Sequence, residues 1–165
     1  MATWYSFSLL IHLIALALWL GGIVFFLVVL GPAVHDLEPR IAIMTLNKAR
    51  LGLETASWIA IGLLLLTGVL NLFARMPPAR AAIGESYAIL LAIKLFVFAA
   101  MVVHHCLQVF KYAPKITGSI AQLSPGMSFW PEPLLSHWRR WFFLLKINAA
   151  LAPIAVLLGL ALAKT

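Results

Sequence analysis

The chain has 165 residues, of which 64% are hydrophobic and only 10% are charged, and its mean hydropathy is +1.03. This composition excludes a soluble globular domain and indicates one transmembrane domain over residues 1–165. The formal net charge of +7 indicates basic loops that orient the protein in a membrane and contact anionic lipid. It gives no support to nucleic-acid binding.

Four apolar runs are each long enough to cross a bilayer, which takes about 20 residues. We predict helices over about residues 4–30, 51–73, 87–111 and 141–162. The short connection between the second and third helices makes them antiparallel neighbours. The predicted fold is therefore an all-α, integral membrane four-helix bundle, antiparallel, with both termini on the same side.

The first predicted helix carries one stripe of polar, small and aromatic residues at the three-or-four spacing of a helix face. An ionisable group at membrane depth is costly, so His12 is a candidate ligand or proton carrier. The alternative is a polar core residue that is hydrogen-bonded across helices. The Gly21–Gly22 pair lets a neighbouring backbone or a flat ring approach closely, and Gly31–Pro32 is expected to end or kink the helix. The stripe consists of Tyr5, Ser8, His12, Ala15, Trp19, Gly22 and Phe26.

The connection that follows is mixed in charge, and we expect a loop that contains a short interfacial helix. Glu54 opens the second helix at the membrane interface, while Thr67 and Asn71 share a face near its other end. We expect Thr67 and Asn71 to pack and to hydrogen-bond between helices, which contributes about 1 kcal/mol each.

The third predicted helix carries Lys94, His104 and His105 inside its apolar run. At 100° per residue, Tyr87, Lys94, Met101 and His105 lie within roughly 40° of one another, and His104 lies about 80° away. Such a stripe should face the protein interior and not lipid, and its ionisable members are functional candidates. The longest predicted loop, 111–140, follows and ends in the aromatic and basic residues of an interfacial anchor.

Basic residues are distributed unequally between the two faces of the predicted bundle. Because cytoplasmic loops carry more Lys and Arg, the bias predicts a bacterial-type inner (plasma) membrane protein with both termini outside. One face has Arg40, Lys48, Arg50, Lys111, Lys115, Arg139 and Arg140, and the other has Arg75, Arg80 and Lys164.

Helix geometry separates two candidate sites. His12 and Lys94 lie about 12 Å and about 10 Å from the outer ends of their helices, so they are at one depth and can face each other. His105 lies roughly 16 Å deeper than Lys94, which makes His12 and His105 an unsuitable axial pair for one iron. Haem with a His ligand and copper both stay open, since Met101, His104, His105 and Cys106 are acceptable copper ligands.

Three short motifs resemble the copper-resistance protein D superfamily. The run IHLIALALWLGGIVFF has the His, Trp and Gly-Gly of that family's first helix, LLTGVLNLF its late Thr-Gly, and YAILLAIKL its Tyr-x-x-x-Leu-x-x-Lys. The chain also resembles the related HemJ-type membrane protoporphyrinogen oxidases, a four-helix group that binds haem b. This second resemblance is carried by His12 with Trp19, by Lys94 with His104 or His105, and by Asn148.

The resemblance implies a haem-b-binding membrane protein with a redox or electron-transfer role, of which a protoporphyrinogen-oxidase-like oxidoreductase is one form. It implies His12 as the first metal ligand, and His104 or His105 as a metal ligand at a second site. Lys94 is implied as a catalytic residue or as the partner of a haem propionate. The other implied cofactor contacts are Trp19 and Gly22, as a flat wall, and Asn148.

Two other functions remain open beside haem binding. One is copper transport or delivery of the copper-resistance D type, and the other is a structural membrane subunit whose polar residues hold helices together. The expected partners are membrane lipid and either a redox partner or a quinone or porphyrin substrate. A homo-oligomer and a place in a larger complex are both compatible with the sequence.

Overall fold

The computed structural model describes residues 2–75, 84–124, 127 and 129–164, and within these it is all-α, without strands. Four helical spans in this part of the chain are long and apolar enough to cross a membrane: Trp4–Ala33, Pro39–Ala74, Glu85–Ala121 and Leu134–Ala163. The predicted all-α architecture, with four helices long and apolar enough to span a membrane, is confirmed. Large apolar side chains, among them Phe7, Phe25, Phe96 and Phe110, are exposed on the outside of the helices, where lipid can cover them.

The first span consists of α1 (Ala2–Val24), a π-helix π1 (Phe25–Leu30) and one turn, α2 (Gly31–Ala33). Proline lacks an N–H, and its ring clashes with the carbonyl four residues earlier. The wider π turn, in which the Gly31 N–H bonds to the Phe26 carbonyl, relieves this clash at Pro32. The span then ends at Ala33, close to the end predicted from Gly31–Pro32.

The second span is the single helix α3 (Pro39–Arg75), and it packs along α1. Contacts between these helices run in opposite chain directions. His12, near the start of α1, bonds to Thr67, near the end of α3. Gly22, near the end of α1, lies against Leu53, in the first half of α3.

The third span joins α4 (Glu85–Cys106), a second π-helix π2 (Leu107–Tyr112) and α5 (Ala113–Ala121). Like π1, π2 ends two residues before a proline, Pro114, so one steric cause accounts for both π segments. The fourth span is α6 (Leu134–Lys164).

Helix α6 packs against α4, again in the opposite chain direction. Lys94 lies against Gly159 near the far end of α6, whereas His104 bonds to Asn148 in its first half. Phe26, late in the first span, packs against Trp141, early in α6, with the two rings tilted by 55°. The start of α1 and the end of α6 therefore lie toward one end of the bundle, which we call the terminal end, and the opposite end is the loop end.

Helix boundaries differ from the prediction at the loop end. Helix α3 begins at Pro39 and not at 51, the third span continues to Ala121 and not to 111, and α6 begins at Leu134 and not at 141. The predicted first loop thus shrinks to a short turn, and the third connection shortens. These extensions are helical because they bury apolar residues at helical spacing, including Ala42, Ile43, Leu46, Ile116, Leu134 and Trp138.

Both predicted stripes face the interior. In the first span, Ser8, Ala15 and Trp19 of α1 and Phe26 of π1 are buried, and the remaining stripe residues Tyr5, His12 and Gly22 are partly buried. In α4, Met101 and His105 are buried, and Tyr87 and Lys94 are partly buried. The 3.6-residue period alone correctly identified the faces that pack.

Candidate functional site

His12 is held by a hydrogen bond that fixes the position of its ring proton. Its Nδ1 lies 2.8 Å from Thr67 Oγ1, and the single hydroxyl proton of Thr67 is donated to the Leu63 carbonyl within the same helix. The hydroxyl oxygen must therefore accept the Nδ1–H of His12. This tautomer leaves a lone pair on Nε2, the form in which imidazole binds a metal ion.

Thr67 also joins α1 to α3 through its backbone, because the Ser8 hydroxyl donates to its carbonyl oxygen at 3.5 Å. The predicted interhelical role of Thr67 is confirmed, and orientation of His12 is added to it. Asn71 on the same face is different, since its buried Oδ1 has no hydrogen-bond partner among the described residues.

Lys94 lies near His12, as their equal predicted depth required. The ammonium group is close enough for its charge to act on the His12 ring, and Nζ lies 3.4 Å from the position that a Cβ on Gly159 would occupy. Glycine at 159 therefore gives the lysine head group room against α6. His12 and Lys94 form the terminal-end site.

Trp19 and Gly22, predicted as the flat wall of a cofactor, lie closer to the loop end. The Trp19 ring packs edge-on against Phe98 and His105, with centroid distances of 6.0 and 6.5 Å. A Cβ on Gly22 would come within 2.9 Å of Leu53 Cδ1, so the contact of α1 with α3 fills this space. Gly22 serves helix packing here, whereas Gly21 is exposed and a Cβ on it would meet no neighbour within 4 Å.

His104 and His105 point to different neighbours. His104 Nδ1 donates to Asn148 Oδ1 at 3.1 Å, and Asn148 Nδ2 donates to the Met101 carbonyl at 3.1 Å. His105 is 4% exposed and lies against Trp58, with ring centroids 5.0 Å apart. Its Nε2 has no hydrogen-bond partner among the described residues.

Asn148, predicted as a cofactor contact, is fully buried and is engaged by both of these bonds. Its immediate role is to orient His104 between α4 and α6. His104 and His105, two of the copper ligands considered from the sequence, therefore have different neighbours, Asn148 and Trp58. No three His, Cys, Asp or Glu side chains in the described ranges lie together as a metal-binding group.

A buried ion pair that was not predicted from the sequence lies at the loop end. Arg50 is 1% exposed, and its Nη1 donates to both carboxylate oxygens of Glu54 at 2.7 and 2.9 Å. Its Nε and Nη2 donate to Asn47 Oδ1, and Nη2 also donates to Thr117 Oγ1 on α5 at 3.0 Å. Arg50 was predicted in a loop and Glu54 at an interface, but both lie inside the protein.

The pairing of Arg50 with Glu54 could have been predicted from the sequence. Arg50 and Glu54 are four residues apart, the spacing at which side chains of opposite charge meet on a helix. The extension of α3 upstream of residue 51 brings Arg50 into that helix, where Thr117 and Asn47 complete its hydrogen bonds.

Between the four spans at the loop end lies a narrow cleft. The indole ring of Trp19 forms part of it from α1, Glu54 from α3, His105 from α4, and Trp141 and Asn148 from α6. Gln108 of π2 also lines it, and the amide of this buried residue donates to the Trp141 carbonyl at 3.1 Å. These residues form the loop-end site.

No family model, curated protein or solved structure matches the chain. The resemblance to the copper-resistance D and HemJ-type groups therefore rests on its short motifs.

Proposed function

We propose that the chain is a membrane protein that binds haem b and has a redox or electron-transfer role, with His12 Nε2 as the iron ligand. The observation that supports this most directly is the hydrogen bond from His12 Nδ1–H to Thr67 Oγ1. A metal-binding histidine usually donates its other ring N–H to a neighbouring oxygen, which fixes the ring and strengthens the ligand.

The residues at the terminal-end site suit haem. One imidazole is enough to hold a haem iron, so the absence of a three-residue metal cluster in the described part of the chain does not count against it. Lys94 supplies a positive charge beside His12, which suits the carboxylate of a haem propionate. Bound haem would supply one-electron chemistry; Thr67 would orient His12, and Lys94 would pair with a propionate.

Copper handling is the second candidate, and a structural subunit the third. Copper would use His105 with Met101, and both are buried on one face of α4. His104 is oriented toward Asn148 instead, so this face offers two ligands and not four. Oxidation of a porphyrinogen belongs to the haem proposal as one possible activity, with Lys94 as its catalytic residue.

Replacing His12 with alanine should remove the Soret absorbance of protein purified after expression with added haem. The reason is loss of the only iron ligand proposed at the terminal-end site. Absorbance spectra of the oxidised and reduced protein measure this, with haem content per polypeptide. The matched control is His35→Ala, which removes an exposed histidine outside the helical spans and should keep the full spectrum.

Three results would contradict the haem assignment to His12. They are a wild-type protein without a Soret band, a His12→Ala protein with unchanged haem content, and loss of the band only on replacement of His105. Stoichiometric copper that is lost in His105→Ala and Met101→Ala would establish the copper function in its place.

We further propose that both termini face the outside of a bacterial-type inner membrane. The basic bias supports this orientation, and Arg40, Lys48, Arg139 and Arg140 are exposed at the loop end. Arg50 is neutralised by Glu54, which reduces the bias without reversing it. Of the basic residues predicted on the other face, Arg80 lies outside the described residues.

Reporter proteins fused to the C-terminus should show on which side of the membrane the C-terminus lies. Alkaline phosphatase folds only outside the cytoplasm, so its fusion should be active, while a green fluorescent protein fusion at the same position should be dark. The two fusions control for each other's expression. A fluorescent fusion with inactive phosphatase would place the terminal-end site on the cytoplasmic side and contradict the proposal.

A further inference from the structure

Two consecutive residues of α3 contact one edge of the His12 ring. Thr67 Oγ1 accepts the Nδ1–H of His12, and a Cβ on Gly68 would lie 3.8 Å from Cε1 of the same ring. Cε1 is the ring atom between the two nitrogens, so Gly68 lies beside the edge that carries the Nε2 lone pair. Thr67 therefore holds one ring nitrogen, and Gly68 leaves bare backbone next to the approach to the other.

Helix packing does not explain the glycine at position 68. A glycine that lets two helices approach has the partner helix within reach of its missing side chain, as at Gly22, where a Cβ would lie 2.9 Å from Leu53 Cδ1. A Cβ on Gly68 would meet Cε1 of His12 at an ordinary contact distance, and apart from α3 itself no other atom of the described residues lies within 4 Å. Alanine would fit there and is the better helix former, so the absence of a side chain calls for another reason.

A second glycine, on α6, lies beside the other member of the terminal-end site. A Cβ on Gly159 would lie 3.4 Å from Lys94 Nζ and 3.9 Å from its Cε, and these are the contacts within 4 Å that the described residues outside α6 would make. The ammonium group would have to move by a few tenths of an ångström to accept a side chain at 159. Glycines of α3 and α6 therefore keep side chains away from both His12 and Lys94.

The chemistry of the two groups indicates which ligand needs this space. A bare metal ion requires several protein ligands close together, and Lys94 is no help to it because an ammonium group only donates. A metal held in a planar macrocycle brings its own ring nitrogens and needs one imidazole, but the ring is wide and requires space beside that imidazole.

We propose that Gly68 and Gly159 are specificity-determining residues, which admit a planar macrocycle to His12 Nε2 and to Lys94. Gly68 keeps the approach to Nε2 clear, and Gly159 lets the ammonium group of Lys94 lie back against α6, where it can pair with an acidic group on the ring. The inference rests on the haem function proposed above. It adds the two residues that select a wide ring over a bare ion.

A size series at position 68 tests the proposal on the full chain in lipid nanodiscs. Haem titration gives the Kd of Gly68→Ala, Gly68→Val and Gly68→Leu. In the same proteins without haem, the rate at which diethyl pyrocarbonate modifies His12, followed by mass spectrometry, measures access to the unprotonated ring nitrogen. We expect affinity and rate to fall together as the side chain grows. Alanine should bind haem nearly as well as glycine, and leucine should bind it about 10- to 100-fold more weakly, as overpacking predicts.

Gly62 provides the matched control series. It also belongs to α3, but it lies about 120° around the helix from Gly68, is exposed, and a Cβ on it would meet nothing within 4 Å. Its alanine, valine and leucine variants should keep both the haem Kd and the modification rate of His12. Gly159→Ala should weaken haem binding and leave the modification rate unchanged, because it displaces Lys94 and not the His12 ring.

The possible failures are distinguishable. A wild-type protein that binds no haem would remove the haem function and this inference with it. Haem binding that requires His12 but is as strong in Gly68→Leu as in the unmodified chain would leave the haem function in place and overturn the role of Gly68. A weaker Kd with an unchanged modification rate and a lower unfolding midpoint would show a structural role and overturn it as well. If Gly68→Leu does not fold, Gly68→Val and Gly159→Ala decide the question by the same two measurements.

Discussion

Replacing Arg50 with leucine should lower the free energy of unfolding by about 3–5 kcal/mol, the range for removing one partner of a buried ion pair. The guanidinium group bonds to Glu54, Asn47 and Thr117 and is 1% exposed. Without it, the Glu54 carboxylate remains inside the protein with its main hydrogen-bond donor removed. Unfolding in mixed micelles with increasing denaturing detergent, followed by helix content, measures the change.

Two further variants separate the ion pair from general damage to α3. Lys48→Leu removes an exposed charge one half-turn from Arg50 and should change stability by less than about 0.5 kcal/mol. The double variant Arg50→Leu with Glu54→Leu should regain most of the lost stability, because a buried pair replaced on both sides leaves no unpaired charge. A double variant no more stable than Arg50→Leu would show that the pair is not isolated from water.

The faces and depths of the helices could be predicted from the sequence, and the helix ends could not. Helical period placed Trp19 and Met101 inward, and helical rise brought His12 and Lys94 together. An apolar run, however, marks only the part of a helix that can sit in lipid. The first turns of α3 are amphipathic, with Ile43 buried. A search for continuous apolar runs therefore does not detect them.

The partners of individual polar residues depend on how helices rotate against each other, which no single helix encodes. His104 and His105 are adjacent in the sequence, and either was an acceptable candidate for one site. Packing of α6 gives His104 the amide of Asn148 and leaves His105 against Trp58. The spacing of Arg50 and Glu54 was visible in the sequence, but the burial of the pair was not, because it depends on Thr117 of α5 and on the upstream extension of α3.

Replacing Thr67 with valine should weaken haem binding by about 10- to 100-fold, the usual effect of removing a hydrogen-bond partner of a metal-binding histidine. Valine keeps the shape of threonine but has no oxygen to accept the Nδ1–H of His12. The ring is then free to change tautomer or to rotate, so Nε2 is no longer held as the acceptor. Haem titration of protein prepared without haem gives the Kd, and the midpoint potential of the bound haem gives a second measure.

Thr67→Ser is the matched control, since serine retains the hydroxyl that accepts from His12 and donates to the Leu63 carbonyl. We expect haem affinity near that of the unmodified chain for serine and a clear loss for valine. A merely structural Thr67 would behave differently: valine would lower the unfolding midpoint while the haem Kd and the midpoint potential of the folded fraction stayed unchanged. That outcome would remove the tautomer of His12 as support for the haem ligand. Loss of affinity with unchanged stability would instead identify Thr67 as the residue that positions His12.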